Sequence, residues 1–438
     1  MLDRPQSGER AVLVHIQFPG SDTAEDVAEL TELAVSAGAT PVDLLTTSRR
    51  APDARYYIGS GKANALCEAI AASDAEVVIF NHPLAPAQER NLERLTQRRV
   101  LDRISLILDI FAQRASTFEG KLQVELAQLR HLSTRLIRGW SHLERQKGGI
   151  GLRGPGEKQL ETDRRLINVR IRQIERRLEK VRTRRELSRR ARKRAGAPVV
   201  SLVGYTNAGK SSLFNALTGA AAHARNRLFE TLDPTLRRLE IPSAGEVVLA
   251  DTVGFIKHLP HELVAAFRAT LEETYSAELL LHVIDASAGD RESKRDQVNE
   301  VLAEIGAERV PQIEVFNKCD LLLNGSPGED PPHGGGNGLD GGTARPCRVQ
   351  VSARTGAGIE TLKQAIDTHF ATGLLRRRVR VPASASRLRA LLFESGRVLS
   401  ERVGENGDAL MEIVIKPASL SRLCRSEGLE DFLLDGPA

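Results

Sequence analysis

The sequence predicts an α/β fold built from four parts. Short apolar runs alternate with helix-like segments in two stretches of the chain, and a long helical pattern lies between these stretches. A glycine-rich loop of the type that holds phosphates follows an apolar run in the second stretch. With 438 residues and 41% hydrophobic content, the chain can bury several cores. We therefore expect domains at residues 1–112, 113–195, 196–372 and 373–438.

The first part, residues 1–112, is expected to be a small α/β domain. Its apolar runs lie at 11–16, 42–45 and 77–80, and its helical segments include 23–37 and 88–97. The segment Tyr57-Ile58-Gly59-Ser60-Gly61-Lys62 is similar to a phosphate loop but lacks the full spacing and the Ser or Thr after the lysine. A plain turn is the favoured interpretation, and ATP binding by this domain stays open as an alternative.

The second part, residues 113–195, is expected to be an antiparallel helical hairpin with a glycine-rich tip. Helices are predicted at 119–138 and 160–194, because apolar residues of the second segment recur in steps of three and four and so share one stripe. The recurring residues include Ile167, Ile171, Ile174, Leu178 and Val181. Proline has no backbone N–H, so Pro198 marks the end of the hairpin and the start of a new domain.

Positive charge is concentrated at the end of this hairpin. The formal net charge is only +5, but eleven of the nineteen residues between Arg176 and Arg194 are Lys or Arg. Such a run is either a solvated basic face or a surface that contacts nucleic acid, and the charge pattern leaves both readings open. Aromatic residues make up 4% of the chain, which favours contacts with an RNA backbone over stacking on its bases.

The composition excludes several classes of protein. The four cysteines have no paired spacing suited to zinc or a redox dithiol, and they are too few for a disulfide framework. No apolar stretch is long enough to cross a bilayer, and the N-terminus lacks the apolar core of a signal peptide. We expect a cytoplasmic protein without stable membrane association.

The third part, residues 196–372, shows the pattern of a largely parallel sheet with helices on both faces. Buried strands are predicted at 199–203, 247–251, 279–285, 312–317 and 349–352. An insertion at about 324–345 is so rich in glycine and proline that we expect it to be disordered. The last part, residues 373–438, contains a strand-like run at 410–416 and is expected to be a small α/β domain of unassigned role.

A phosphate loop of the form G-x-x-x-x-G-K-[ST] follows the strand at 199–203 and precedes a helix predicted to start near Ser212. Glycine at both ends lets the chain wrap closely around phosphates and aim its N–H groups inward. Lys210 is expected to hold the β- and γ-phosphates, and Ser211 to bind Mg²⁺. The loop consists of Gly204, Tyr205, Thr206, Asn207, Ala208, Gly209, Lys210 and Ser211.

Two further motifs select the base. The four residues Asn317, Lys318, Cys319 and Asp320 have the form N-K-x-D, in which a carboxylate accepts hydrogen bonds from guanine N1–H and its 2-amino group. Adenine presents a lone pair at N1 and would be repelled, so GTP is the expected nucleotide. Ser352, Ala353 and Arg354 stand where many such proteins have S-A-K, and the backbone N–H of Ala353 is expected to reach guanine O6.

The switch elements complete the predicted site. Asp251, Thr252, Val253 and Gly254 match D-x-x-G, in which the aspartate supports Mg²⁺ through water and the glycine N–H contacts the γ-phosphate. A second segment is expected to contact GTP and comprises Phe229, Glu230, Thr231, Leu232 and Asp233. Thr231 is the favoured Mg²⁺ ligand in this segment, and Thr235 remains the alternative.

With these motifs in place, the sequence resembles the HflX family of GTPases over nearly its whole length. The specific resemblance lies in GGIGLRGPGEKQLETDRR at 148–165 and DTVGFIKHLPHELVAAFRATLEET at 251–274. It implies a cytoplasmic GTPase that binds the large ribosomal subunit, contacts ribosomal RNA and helps to split or rescue stalled ribosomes under stress. A monomer is expected. The candidate RNA contacts near the hairpin tip are Lys147, Arg153, Lys158, Arg164 and Arg165.

The residue after D-x-x-G bears on the mechanism. Ras-like proteins place a glutamine there to orient the attacking water, whereas this chain has Phe255, which cannot hydrogen-bond to water. We expect slow intrinsic hydrolysis that the ribosome stimulates, with Lys210 and Mg²⁺ stabilising the developing charge. No general base can be assigned.

Three alternatives remain at this point. An ATP- or GTP-dependent RNA remodeller would use the N-terminal domain. A ribosome assembly factor would use the nucleotide only to set its conformation. A tRNA-modifying GTPase of the TrmE type would need a cysteine close to the C-terminus, and the nearest is Cys424.

Overall fold

The computed structural model of the chain describes residues 8–19, 23–138, 155–194, 198–219, 228–242, 245–257, 272–322, 347–371, 375–404, 406–415 and 417–434. The chain divides into two compact units. The first comprises Met1–Arg184, Ala224–Pro234 and Thr252–Glu272, and the second comprises Arg185–His223, Thr235–Asp251 and Glu273–Ala438. The predicted insertion at 324–345 lies outside the described residues.

The N-terminal part of the first unit is a four-stranded parallel sheet with helices between its strands. The strands are β1 (Arg10–Gln17), β2 (Thr40–Ser48), β3 (Val77–Phe80) and β4 (Arg99–Leu101), in the order β2-β1-β3-β4. The helices are α1 (Thr23–Ser36), α2 (Ser60–Ser73), α3 (Pro86–Thr96) and α4 (Arg103–Arg114). All three predicted strands and both predicted helices are present. The phosphate-loop-like segment lies where the chain turns into α2, after a backbone bridge between Asp53 and Tyr57.

Two long helices follow, α5 (Phe118–Arg138) and α6 (Pro155–Arg194). Within the first unit, Leu122 and Leu126 of α5 share a buried cluster with Ile174 of α6, so the predicted apolar stripe does face the other helix. Ion pairs join the same two helices, with Arg130 2.8 Å from Glu175 and Arg170 2.7 Å from Glu125. These pairs are exposed, so the buried cluster contributes more to holding the helices together.

The second unit contains a six-stranded sheet in the order β10-β9-β8-β5-β7-β6. Its strands are β5 (Val199–Gly204), β6 (Thr235–Ile241), β7 (Gly245–Asp251), β8 (Leu279–Asp285), β9 (Gln312–Asn317) and β10 (Cys347–Gln350). All neighbours are parallel except β6 and β7. The described helices are α7 (Lys210–Thr218), α8 (Glu272–Tyr275), α9 (Arg291–Glu304) and α10 (Ile359–Ala371), with a short 3-10 helix at Cys319–Leu321. Because parallel strands end at the same edge, β5, β7, β8 and β9 bring their last residues together.

The last part of the second unit has a sheet and core of its own. Its elements are β11 (Leu375–Val381), α11 (Ser386–Ser395), β12 (Gly396–Val403), β13 (Ala409–Ile415), α12 (Pro417–Glu427), a 3-10 helix (Leu429–Phe432) and β14 (Leu433–Leu434). The antiparallel strands lie in the order β12-β13-β11-β14. The strand-like run predicted at 410–416 is β13. Among the described residues, no helix is both long and apolar enough to span a lipid bilayer.

Candidate nucleotide-binding site

The predicted phosphate loop connects β5 directly to α7, which begins at Lys210, two residues before the predicted start. Two positions require glycine. Gly204 has a φ of 152° and a side chain there would collide with the carbonyl oxygen of Val283; Gly209 has a φ of 90° and a side chain there would meet the amide of Asn317. The loop is therefore fixed by backbone geometry that other residues adopt only under strain.

Lys210 is buried beneath this loop. Its ammonium donates hydrogen bonds to the carbonyl oxygens of Gly204 at 3.0 Å and Tyr205 at 2.7 Å. Burial lowers the pKa of Lys210 to about 8, while Asp251 raises it. A lysine in this setting gains a compensating charge when an anion binds beside it, so the loop is suited to phosphates. The nearby hydroxyl of Thr206 is also buried, with no hydrogen-bond partner among the described residues.

The two residues predicted to support Mg²⁺, Ser211 and Asp251, contact each other. The Ser211 hydroxyl donates a hydrogen bond to a carboxylate oxygen of Asp251 at 2.7 Å. This bond joins the second residue of α7 to the last residue of β7. A hydroxyl and a carboxylate are hard oxygen donors, which is the donor set that Mg²⁺ prefers when nucleotide phosphates and water complete its shell. The residues present therefore fit Mg²⁺, and direct binding by Ser211 with water-mediated binding by Asp251 stays a prediction. When bound, Mg²⁺ neutralises charge on the phosphates.

The residues predicted to recognise the base lie at the ends of β9 and β10. The side chain of Asn317 donates to the carbonyl of Ala208 in the phosphate loop at 3.0 Å, and its amide oxygen accepts from the N–H of Ala353 at 3.0 Å. One buried amide thus ties together the phosphate loop and the S-A-R loop. Asp320 is exposed and accepts a hydrogen bond from the Ser352 hydroxyl at 2.7 Å. This bond orients the carboxylate and leaves its other oxygen for a ligand.

Lys318 makes an ion pair that its place in the N-K-x-D motif does not predict. Its ammonium lies 2.7 Å from the carboxylate of Asp285 at the end of β8. Burial would raise the pKa of Asp285, but hydrogen bonds from Lys318 and Ser287 outweigh burial and lower it. The sequence did offer a signal for this ion pair, because Asp285 ends the strand β8 and the N-K-x-D motif begins at the end of β9, its neighbour in the sheet. Cys319 is half-buried and Arg354 is exposed.

The predicted switch residues 229–233 belong to the first unit, and two of their side chains contact other residues of that unit. Phe229 is buried with its ring in edge-to-face contact with Phe111, at a centroid distance of 4.6 Å. Asp233 accepts hydrogen bonds from Ser116 and Thr117. Contact of these two residues with GTP stays a prediction. Glu230 and Thr231 are half-buried and Leu232 is buried.

The residues that follow Asp251 also belong to the first unit. Thr252, Val253, Gly254 and Phe255 are buried. Phe255 is 2% exposed, so its ring is a core side chain. Thr235, the alternative magnesium ligand, is the first residue of β6 in the second unit and lies opposite Asp251 in the strand register. The choice between Thr231 and Thr235 stays a prediction.

The candidate RNA contacts are only partly described. Lys147 and Arg153 lie outside the described residues, and Lys158 lies in α6. Arg164 and Arg165 are exposed on the same helix.

Three family models match successive parts of the chain. The first, described as the N-terminal region of a GTP-binding GTPase, matches residues 24–112, and the second, its middle region, matches residues 114–192. The third, described as a 50S ribosome-binding GTPase, matches residues 199–318. The matches cover most of the N-terminal sheet, the helical hairpin and the sheet that carries the phosphate loop.

Relatives resemble the chain over its full length. It is 52% identical to the GTPase HflX of Escherichia coli over 435 residues, which covers 99% of this chain and 100% of that protein. It is 42% identical to the GTPase HflX of Magnetococcus marinus, with 98% of each chain covered. It is 45% identical to the GTPase HflX of Caldanaerobacter subterraneus, with 93% of this chain and 91% of that protein covered.

Proposed function

The chain belongs to the HflX family of GTPases and is a GTP hydrolase, and from this premise we propose that it binds the large ribosomal subunit and uses GTP to dissociate or rescue stalled ribosomes under stress. It contacts ribosomal RNA in this role and works as a cytoplasmic monomer. The observation that carries the proposal is the match of residues 199–318 to a family described as 50S ribosome-binding GTPases.

The helical hairpin supports the same proposal. Arg164 and Arg165 are exposed on α6, and the helix continues into the run of Lys and Arg between Arg176 and Arg194. A long helix can carry such charges well away from a domain surface, because each residue adds about 1.5 Å of length. Phosphates of ribosomal RNA are the matching ligand for these side chains.

In the nucleotide site, each residue has a separate task. Lys210 stabilises the negative charge that develops on the β- and γ-phosphates. Ser211 would hold Mg²⁺ directly and Asp251 would hold it through water. Asp320 accepts hydrogen bonds from guanine N1–H and its 2-amino group, and the N–H of Ala353 donates to guanine O6.

Hydrolysis in the free protein is slow, because Phe255 stands where a water-orienting glutamine is found in Ras-like proteins and its ring is buried. Docking on the ribosome positions the attacking water and so stimulates the reaction.

The tRNA-modifying alternative needs a reactive cysteine. Cys424 lies inside α12 and is half-buried, and burial raises the pKa of its thiol. A thiol with a raised pKa forms less of the reactive thiolate, so this residue does not favour a TrmE-type activity.

Co-sedimentation of the full chain with purified large and small ribosomal subunits tests the proposal. We expect binding to the large subunit that is strongest with a non-hydrolysable GTP analogue, weaker with GDP and weakest without nucleotide. Loss of light scattering from intact ribosomes, measured in parallel, reports their separation. Asp320→Asn is the control, because it should lose the response to the GTP analogue. Equal binding to both subunits in every nucleotide state would contradict the proposal.

A further inference from the structure

The C-terminal sheet has one face covered by helices and one face open. Its element order is β-α-β-β-α-β, and α11 and α12 both pack on the same side, where Leu388, Leu392 and Leu423 join the buried side chains of the strands. The opposite face carries the alternate residues of β11, which are exposed. Antiparallel sheets commonly leave one face in water, and the residues on that face decide whether it can bind a ligand.

Arginines occupy the open face of the central strand β11. Arg376, Arg378 and Arg380 are exposed and alternate with Val379 and Val381, which are buried in the core, so all three arginines share the open side. Alternate residues of a strand are roughly 6.6–6.8 Å apart, which spaces the three guanidinium groups along the strand.

The neighbouring strands add a fourth arginine and an apolar residue. In the strand register, Leu410 of β13 lies between Arg380 of β11 and Arg402 of β12, and all three are exposed. The two arginines flank a leucine that is 39% exposed, and no carboxylate lies in this row of the register.

Acidic residues neutralise only part of this charge. Glu412 of β13 lies opposite Arg378 in the register and forms an ion pair with Arg376 at 2.7 Å. Glu401 of β12 instead pairs with Arg389 of α11, at 2.7 Å and 3.0 Å. The open face therefore keeps an excess of positive charge around Arg380 and Arg402.

We propose that this open face, defined by Arg376, Arg378, Arg380, Arg402 and Leu410, binds the phosphate backbone of single-stranded RNA. Guanidinium groups form paired hydrogen bonds with phosphate oxygens, and a row of them suits a chain with a charge on every unit. The exposed leucine gives an apolar contact for a ribose or base. Sheet faces of β-α-β-β-α-β modules bind single-stranded RNA elsewhere, where aromatic residues stack on bases.

No aromatic residue lies among the described residues that define this face, so the contacts are to the backbone and depend little on base sequence. The proposal concerns a different surface from the hairpin and does not rest on the proposed action on ribosomes.

Binding of a short, labelled single-stranded RNA of mixed sequence to the full chain, measured by fluorescence anisotropy, tests the inference. The double variant Arg380→Gln/Arg402→Gln is compared with Arg387→Gln/Arg425→Gln, which removes the same charge from exposed positions on α11 and α12. Melting temperatures of both variants check that the fold is kept. Arginines of the hairpin can also bind RNA, so the test compares the two double variants with each other and does not rely on the total binding of either one.

We expect the first double variant, and not the second, to bind RNA more weakly. Each phosphate contact in a single strand contributes about 0.7 to the slope of log K against log salt concentration, so losing two should flatten the slope by about 1.4. Crosslinking of the RNA by ultraviolet light should label peptides from β11 or β13. Equal slopes in the two double variants would overturn the proposal. The proposal would also be overturned if Arg380→Gln/Arg402→Gln lost binding to labelled polyglutamate while its RNA binding stayed unchanged. That result would assign the face to an acidic protein.

Discussion

Thr117 donates two hydrogen bonds to Asp233, from its backbone N–H at 2.8 Å and from its hydroxyl at 2.6 Å. Ser116 donates two more, both to the same carboxylate. Thr117 directly precedes α5, and its hydroxyl also accepts from the N–H of Gly120, as in a helix cap. The segment that holds Thr231 is thus attached to the start of the helical hairpin.

Replacing Asp233 should loosen the attachment. We expect Asp233→Ala to destabilise the protein by about 1–2 kcal/mol at neutral pH, since several hydrogen bonds to a charged acceptor at a helix start are lost. Burial would raise the pKa of Asp233, but hydrogen bonds from Thr117 and Ser116 outweigh it and lower the pKa below 3.8. Urea unfolding of the wild type and of Asp233→Ala measures the difference in their free energies of unfolding.

The pH dependence follows from that lowered pKa. A carboxylate with a lower pKa in the folded state stabilises the protein above its unfolded pKa and loses this effect as the pH falls through the folded value. The difference in the free energy of unfolding between wild type and Asp233→Ala should therefore become smaller in acid. A difference that stays constant with pH would contradict the account.

Asp320→Asn should change the nucleotide that binds. The variant loses a charged acceptor for two guanine donors, each worth about 1.5–3 kcal/mol, so GDP affinity should fall on the order of 10²–10⁴-fold. Xanthine has an oxygen where guanine has its 2-amino group, and an asparagine amide can donate to that oxygen. Calorimetry should find that the variant prefers XDP. Unchanged preference for GDP would mean that Asp320 does not read the base.

Lys210→Met should lower the rate of GTP hydrolysis and raise the melting temperature of the nucleotide-free protein. Hydrolysis should fall by on the order of 10²-fold or more, as when one group that stabilises developing charge is removed. The nucleotide-free variant should melt at a higher temperature than wild type near neutral pH, because a buried amine is replaced by an apolar chain.

The pH profile supplies a second test of Lys210. Its pKa in the folded protein is about 8, below its usual 10.5, so between these values the unfolded chain binds the proton more tightly. Wild-type stability should gain from this group as the pH rises through that window. Lys210→Met should lack that contribution, and a variant that shows the same rise would contradict the burial argument.

Phe255→Gln should not create a faster enzyme. The side chain is 2% exposed, and burying an amide there without hydrogen-bond partners costs about 1–3 kcal/mol. We expect a lower melting temperature and no increase in hydrolysis by the free protein. Phe255→Leu is the control and should keep most of the stability. Faster hydrolysis by Phe255→Gln would show that the side chain can reach the attacking water.

Much of the nucleotide site was predictable because its motifs are local. The phosphate loop and N-K-x-D each lie at a strand end, and strand ends meet at one edge of a parallel sheet, so their meeting follows from spacing alone. The structure adds the amide of Asn317 as the link between them. The contacts of Phe229 and Asp233 were not predictable, since their partners lie more than a hundred residues away in sequence.

Two strands that the sequence did not predict, β6 and β11, have little apolar signal. In β6 only Leu239 and Ile241 are buried, and the strand is an antiparallel edge with arginines outward. In β11 the sequence LRRRVRV has only Val379 and Val381 fully buried, so it reads as a basic run rather than a strand. Both strands are stabilised by pairing with a neighbour, which hydrophobic periodicity does not detect.

The rate of GTP hydrolysis by the full chain, measured with and without purified large ribosomal subunits, tests the central claim most directly. We expect the subunits to raise the rate at least roughly tenfold, below the 10³–10⁵ that an added arginine supplies in other GTPases. Lys210→Met should show no stimulated hydrolysis. A wild-type rate that is the same with and without subunits would contradict the account.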